Sequence, residues 1–230
     1  MDFLIILRRI IKRKSRISGS GKSMKNEIHT LQKIQEAAKK EFLQKGFQAA
    51  SLRNIVKQAG VTTGAFYGYY KSKEELFDAL VKEQYEYIMT MYTNVQNGFK
   101  TLNAKEQQNS MGKVSGDCME EMLDYMYDNE EEFMLILTCS KGTRYENMVH
   151  EMSDIEVQAT HDFMQTIKEA GGEIKEVDPM LEHMLISGMF SAFFELLIHR
   201  SNIKEAKVYL KQLREFYTAG WSELFKIEIV

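Results

Sequence analysis

The sequence predicts an all-α fold. It contains a single proline in 230 residues, together with 15 methionines and abundant Glu, Lys and Leu, which favour long helices over a β-fold with many turns. From Ile28 onward, apolar residues also recur at spacings of three and four, the period of a helix with one buried face. With 44% hydrophobic residues, the chain can bury the core of one large domain or two small ones.

Charge is distributed unevenly along the chain. Residues 1–25 carry eight Lys and Arg against one Asp, and residues 26–73 carry eight against three acids. Residues 74–230 carry 14 basic residues against 29 acidic ones. A basic N-terminal region followed by an acidic remainder is typical of a polyanion-binding region attached to a domain with a solvated surface.

The basic N-terminal segment, residues 1–25, has three open interpretations. Its apolar run at residues 3–7 is too short to span a bilayer, and its basic residues follow that run, whereas those of a secretory signal precede it. We therefore expect a cytoplasmic protein. The segment is a flexible basic arm contacting DNA backbone, an amphipathic helix at a membrane surface, or an extension upstream of a start at Met24.

Residues 28–76 predict a helix-turn-helix. A first helix ends at Gly46, for which we expect a left-handed conformation. Ser51 is the expected N-cap of a second helix that ends at Gly60, and a short third helix runs from Thr62 to about residue 68. A Ser-x-x-Glu capping box at residues 72–75 begins a fourth helix. Two short helices joined by Ala-Gly-Val form the DNA-binding motif.

The short third helix is the expected recognition element, because the second helix of this motif lies in the major groove. Thr63 and Tyr67 are four residues apart and share one face, while Phe66 turns towards the core, as Tyr70 is also expected to do. Small residues at 64 and 65 allow the backbone to approach phosphate closely. Hydroxyl and ammonium donors suited to phosphate oxygens stand at Tyr67, Tyr69 and Lys73.

Residues 28–81 resemble the DNA-binding domain of TetR-family transcriptional regulators. Four motifs occur in order: AAxxxFxxxGF, IVxxAGV, TxGxxYxYY and KSKExL. The resemblance implies phosphate contacts from Tyr67, Tyr69 and Lys73 and base contacts from residues 62, 63 and 65. Ala65 and Gly68 depart from the hydroxyl and the bulkier residue common in the family, which leaves the operator sequence open. The predicted DNA-binding set is Ser51, Thr62, Thr63, Gly64, Ala65, Tyr67, Tyr69 and Lys73.

The resemblance also implies a domain plan and a mode of action. We expect a flexible basic extension at 1–25, a DNA-binding domain at 26–73 and a ligand-binding and dimerisation domain at 74–230. The implied partners are a palindromic operator in double-stranded DNA, a second copy of the chain and a small-molecule effector of apolar or amphipathic character. The implied action is that of a repressor released from DNA by that effector.

The expected dimer interface lies near the C-terminus. A helix beginning at Asp178 and Pro179 continues through residues 184–198, which hold one charge and are apolar on nearly every face. That stretch of 15 residues is too short to cross a membrane, so stable insertion is not expected. It packs either on a partner subunit or inside an ordinary monomeric core. The interface candidates on it and on the last helix are Met184, Gly188, Ser191, Ala192, Phe194, Leu197, Phe216, Tyr217 and Trp221.

The intervening residues predict helices near 74–97, 117–128, 130–139 and 145–170, with a flexible connection over 103–116. The resemblance implies that such helices hold the effector, whose arrival moves the fourth helix. Methionine and aromatic residues suit an adaptable apolar pocket, although ordinary core packing explains each of them as well. The pocket candidates are Met122, Tyr125, Met126, Phe133, Ile136, Cys139, Phe163 and Met164.

Signals for catalysis or metal binding are weak. The histidines form no HExxH pair and no paired Glu-x-x-His set, and no serine lies in a GxSxG motif. Cys118 and Cys139 fit no zinc spacing and are expected to be buried thiols. We therefore expect no enzyme, cofactor or metal. A helical enzyme or metal-binding bundle and a membrane-surface adaptor stay as alternatives, separable from a regulator by salt-dependent binding to duplex DNA.

Overall fold

The computed structural model describes residues 21–199 and 202–229, with side chains from residue 26 onward. The predictions for residues 1–20 lie outside the described residues. Regular structure in the described ranges is helical, as predicted. The helices are α1 Gly21–Ala49, α2 Leu52–Gln58, α3 Thr63–Phe66, α4 Lys73–Lys100, α5 Ala104–Asp128, α6 Glu130–Met134, a π-helical segment Leu135–Cys139, α7 Met148–Glu169, α8 Pro179–Ile198 and α9 Ile203–Phe225.

The described residues form two compact units. The N-terminal unit comprises the described residues up to Glu86 together with Glu131–Glu146, and the C-terminal unit comprises Tyr87–Glu130 and the described residues from Asn147 onward. The N-terminal unit therefore includes two segments, the first half of α4 and residues 131–146, that lie beyond the boundary expected at residue 73.

An aromatic cluster forms the core of the N-terminal unit. The ring of Phe77 meets Phe42 edge-on at 5.1 Å and Phe47 at 5.4 Å, and Tyr145 lies 6.0 Å from it. The π-helical segment packs against α1 in the same core. Residues Phe133, Ile136 and Cys139, predicted as pocket residues, are buried here. These three side chains belong to a different unit from the other five pocket candidates.

Gly46 interrupts the helical geometry of α1, with φ 70° and ψ 166°. The positive φ was predicted, but the ψ angle is extended rather than left-handed helical, a combination that essentially only glycine adopts. The amide of Ala50 donates to the Gly46 carbonyl at 3.1 Å. The break redirects the chain from α1 towards α2.

Of two helix starts in the C-terminal unit, one agrees with its prediction from the sequence and the other does not. Asp178 caps α8 as predicted, since its carboxylate accepts from the amides of Met180 at 2.9 Å and Leu181 at 3.3 Å. The flexible connection predicted over 103–116 is wrong. Asn103 and Glu106 form a capping box, each side chain accepting from the other's amide at 3.1 Å, and α5 begins directly after Asn103.

Helix α8 has 20 residues and is long and apolar enough to cross a bilayer by length and composition. Residues 184–198 alone are too short to cross a bilayer, as predicted, but the whole helix is not. Core helices of water-soluble proteins share these properties. One face of α8 is buried within the C-terminal unit, where the helix packs against α7 and α9.

Candidate nucleic-acid interface and ligand cavity

The short helix α3 exposes small residues to solvent and buries the aromatic ring of Phe66. Thr62 is its N-cap, with Oγ1 accepting from the Ala65 amide at 3.1 Å. Phe66 is fully buried, as predicted, whereas Thr62, Thr63 and Gly64 are exposed and Ala65 is half-buried. A side chain added at Gly64 would meet no atom closer than 4.0 Å. The exposed face is therefore open to a flat partner surface.

The turn between α2 and α3 depends on Gly60, whose φ is 65°. Left-handed backbone is inexpensive for glycine. The amide of Val61 then donates to the Val56 carbonyl at 3.2 Å, and Gly60 donates to Lys57 at 3.2 Å. These contacts form the turn of the predicted helix-turn-helix.

A buried carboxylate fixes the start of α2. Glu41, only 1% exposed, accepts from the Ser51 amide at 3.1 Å, from Lys45 at 2.8 Å and from Asn54 at 3.3 Å. The hydrogen bond from Lys45 holds the pKa of Glu41 below its ordinary value, against the effect of burial. Ser51 has the extended backbone of an N-cap, but its side chain makes no capping hydrogen bond. Glu41 supplies the acceptor instead.

The three predicted phosphate-contacting side chains differ in their environment. Tyr67 is 55% exposed. Tyr69 is half-buried, and its hydroxyl donates to the Glu27 carbonyl at 3.3 Å. Lys73 donates to the carbonyls of residues 47, 48 and 50 at 2.6, 3.3 and 3.1 Å. An ammonium has three protons, so all of its donors are engaged, and we withdraw the expectation that Lys73 binds phosphate.

Exposed basic side chains outside the predicted DNA-binding set lie on α2 and next to α3. Arg53 and Lys57 are four residues apart on α2 and both are exposed, and Lys71 follows α3. In this motif the first helix crosses the DNA backbone. The spacing of four between Arg53 and Lys57 is the sequence signal that could have identified them.

A cavity of about 130 Å³ lies inside the C-terminal unit. Helices α4, α5, α7, α8 and α9 all contribute to its wall. Most of the lining is apolar or aromatic, and it includes Tyr92, Phe99, Met119, Phe163, Phe190, Leu213, Tyr217, Trp221 and Phe225.

The polar side chains that line this cavity come from α4, α5, α7 and α9, among them Gln96, Glu156 and Arg214. Glu156 accepts from the Tyr92 hydroxyl and from the Gln96 amide group, the latter at 2.7 Å. Burial raises the pKa of Tyr92 well above its ordinary value and that of Cys118 to about 12. Cys118 and Cys139 are free, buried thiols, as predicted. An organic ligand with one polar group fits such a wall.

The predicted pocket residues are mostly elsewhere. Of the eight candidates, only Phe163 lines the cavity. Met122 and Met126 are fully buried core residues, and Tyr125 stacks on Tyr87 at 3.9 Å. Met164 is half-buried on α7 outside the lining. These four side chains therefore do not line this cavity.

The predicted interface residues divide into three groups. Met184, Gly188, Ser191 and Phe216 are exposed, and Ala192 is half-buried. Tyr217 and Trp221 line the cavity instead. Phe194 and Leu197 are buried inside the protomer and offer no surface to a partner, so we remove both from the interface. Further exposed apolar residues, which the candidate set omitted, are Met180, Leu181, Val208 and Tyr209.

The histidines make ordinary pairwise contacts. His161 lies 2.8 Å from the buried carboxylate of Glu182, and His199 lies 2.9 Å from Glu195. In the part of the chain that the structure describes, no group of three or more His, Cys, Asp or Glu side chains is arranged to hold a metal ion.

Comparison with known proteins agrees with this geometry. Residues 34–80 match the family of bacterial regulatory proteins described as the tetR family. The chain is 29% identical to the transposon Tn10 TetC protein of Escherichia coli over 182 residues, 76% of this chain and 82% of TetC. It is 26% identical to the HTH-type transcriptional repressor KstR2 of Mycobacterium tuberculosis over 105 residues, 46% of this chain and 48% of KstR2.

The fold is also found among solved structures. The transcriptional regulator FadR of Bacillus subtilis, in complex with stearoyl-CoA, matches with a TM-score of 0.50 at 16% identity, over 82% of this chain and 98% of FadR. The helix-turn-helix, its match across residues 34–80 and the similarity to TetC over most of the chain lead to one conclusion: the chain belongs to the TetR family of DNA-binding transcriptional regulators.

Proposed function

We propose that the protein is a homodimeric transcriptional repressor that binds a palindromic operator through two copies of α3 and leaves it when a small molecule occupies the cavity. It acts in the cytoplasm, where its DNA target is accessible. Each part of this proposal rests on a separate feature of the chain.

The main support for DNA binding is the exposed face of α3. Thr63 and Tyr67 stand on that face, and buried Phe66 fixes it in place. Thr63 is suited to base edges, while the hydroxyl of Tyr67 is suited to a phosphate oxygen. Arg53 and Lys57 add positive charge on α2, where the DNA backbone would pass.

Exposed apolar side chains on α8 and α9 support dimerisation. Met184 is 61% exposed and Phe216 is 71% exposed. Apolar patches of this kind mark interaction surfaces, because covering them removes apolar area from water. A two-fold dimer presents two recognition helices to two half-sites about one helical turn or more apart.

The cavity supports release by an effector. FadR, whose fold is similar, was solved with stearoyl-CoA bound, and KstR2 is described as a repressor. A coupling free energy of about 1–3 kcal/mol between cavity and DNA would change operator affinity about 5- to 150-fold. The side chains lining the cavity come from α4, whose first half belongs to the N-terminal unit, and from four other helices.

Selection of bound fragments from the source genome tests this proposal. The selected fragments should share an inverted repeat, and a reporter placed behind such a fragment should be silenced by the wild-type protein. Thr63→Ala should lose that silencing, and Glu169→Gln, an exposed change on α7 in the C-terminal unit, should retain it. Enrichment of fragments without a repeat, or activation of the reporter, would contradict the proposal.

A further inference from the structure

Glu156 places a carboxylate in the wall of an otherwise largely apolar cavity. Its Oε2 accepts from the hydroxyl of Tyr92 and from the Gln96 amide at 2.7 Å, and Gln96 also donates to the Tyr92 hydroxyl at 3.0 Å. The three side chains form a small polar cluster between α4 and α7. Both partners of the carboxylate are neutral.

The carboxyl group of Glu156 has no cationic partner among the residues that the structure describes. Arg214 also lines the cavity, but its guanidinium donates to the Gly112 carbonyl at 3.0 Å and lies 3.6 Å from Glu120. Burial raises the pKa of Glu156 above its ordinary value. An uncompensated carboxylate in such surroundings is costly, and a bound cation would offset that cost.

The remaining wall suits the body of such a cation. Aromatic side chains from α7, α8 and α9 surround the space, among them Phe163, Phe190 and Trp221. Aromatic faces attract cations and also cover apolar groups. A volume of about 130 Å³ is close to that of a cavity known to hold a benzene ring, about 150 Å³.

We propose that the cavity takes a small organic cation, an amine carried on a compact aromatic or apolar body, with its ammonium group bound to Glu156 beside Tyr92 and Gln96. An anionic ligand is disfavoured there because it would bring a second negative charge to the carboxylate. The inference deepens the proposed function by naming the chemical class of the effector.

Trp221 offers a direct readout. It is the single tryptophan of the chain and it lines the cavity, so its fluorescence reports occupancy. Three probes that share a phenyl ring and a two-carbon chain and differ in the terminal group are compared: 2-phenylethylamine, 2-phenylethanol and 3-phenylpropionate. The wild-type protein should bind the amine about tenfold or more tightly than the alcohol, and the carboxylate more weakly than either.

Glu156→Gln supplies the decisive variant, since it keeps the shape of the side chain and one oxygen that can accept from Tyr92 and Gln96, and removes the charge. Its affinity for the amine should fall to that of the alcohol, with alcohol binding unchanged. Glu169→Gln removes an exposed carboxylate from the same helix and should leave all three affinities unchanged. Circular dichroism establishes that both variants are folded.

Equal binding of amine and alcohol by the wild type, tighter binding of the carboxylate, or no binding of the amine at millimolar concentration would overturn the inference. Operator release is measured separately by fluorescence anisotropy. An amine that binds with the expected charge preference without releasing DNA contradicts the effector role and leaves the cation site standing. Release by an anionic compound that fills the cavity supports the effector role and contradicts the cation site.

Discussion

The ammonium of Lys73 donates to the backbone carbonyl of Phe47 at 2.6 Å and stands over the aromatic ring of the same residue, 4.4 Å from its centroid. Two further carbonyls, of Gln48 and Ala50, accept from the same group. A lysine at the start of α4 thus closes the end of α1. Its position within the fold explains its presence without any contact to DNA.

Lys73→Met should therefore lower the free energy of unfolding by about 1.5–3 kcal/mol, because three charge-assisted hydrogen bonds are lost. Urea denaturation followed by circular dichroism measures this change. Lys71→Met, at an exposed position two residues earlier, should change stability by less than about 0.5 kcal/mol. If Lys73→Met instead leaves stability unchanged and weakens binding to all DNA sequences alike, Lys73 contacts phosphate after all.

Glu41→Gln should lower the free energy of unfolding at pH 7 by about 1–3 kcal/mol, since an amide cannot accept from all the donors that converge on the carboxylate. The folded-state pKa of Glu41 lies below its ordinary value of 4.5. Its contribution to stability is then complete above that value and is lost as the pH falls through the folded-state pKa. Denaturation at a series of pH values should show a shallower acid loss in the variant than in the wild type.

Glu36→Gln is the matched control for Glu41, because it changes an exposed carboxylate on the same helix. It should leave both the stability at pH 7 and the acid loss close to wild type. An identical acid profile for wild type and Glu41→Gln would show that this carboxylate does not stabilise α2.

Thr63→Ala and Tyr67→Phe should affect DNA binding in different ways. Loss of the Thr63 side chain should alter discrimination at one or two base pairs by about 1–3 kcal/mol, whereas loss of the Tyr67 hydroxyl should weaken all sequences alike by about 1 kcal/mol. Anisotropy titrations with the selected operator, single-base variants and scrambled duplex measure both effects. A change of preference in Tyr67→Phe alone would reverse these roles.

Phe216→Glu should prevent dimerisation, because it replaces a largely exposed apolar side chain, which we expect a second subunit to cover, with a charged one. Sedimentation equilibrium should give the mass of one chain, and operator affinity should fall by more than tenfold. Lys204→Glu reverses an exposed charge near the start of α9 and should remain dimeric. A dimeric Phe216→Glu protein would place the interface elsewhere.

Local signals account for most of the correct fold predictions. Gly60, the buried ring of Phe66 and the Ser72 hydroxyl accepting from the Glu75 amide at 3.1 Å are each determined by a few neighbouring residues. The same is true of Asp178 at the start of α8. The capping pair Asn103 and Glu106 is also a local signal. It was missed because the residues that follow it are polar and lack the apolar periodicity of a helix.

Long-range geometry accounts for the errors at the candidate sites. Periodicity shows that Met126 and Phe163 are buried, but only the packed bundle shows which of the two borders a cavity. The carbonyls that engage Lys73 lie 23 to 26 residues earlier in the chain. Glu156 and Tyr92 are 64 residues apart, and no spacing rule connects them.

Salt-dependent binding of the wild-type protein to a selected operator duplex tests the central claim most directly. If the dimer makes about six to ten phosphate contacts, its affinity for the duplex should fall by about 10³- to 10⁵-fold as the salt concentration rises from 50 to 200 mM. Sedimentation of the complex should give two chains per duplex. Binding that is independent of salt, or a complex of one chain per duplex at saturation, would contradict the account.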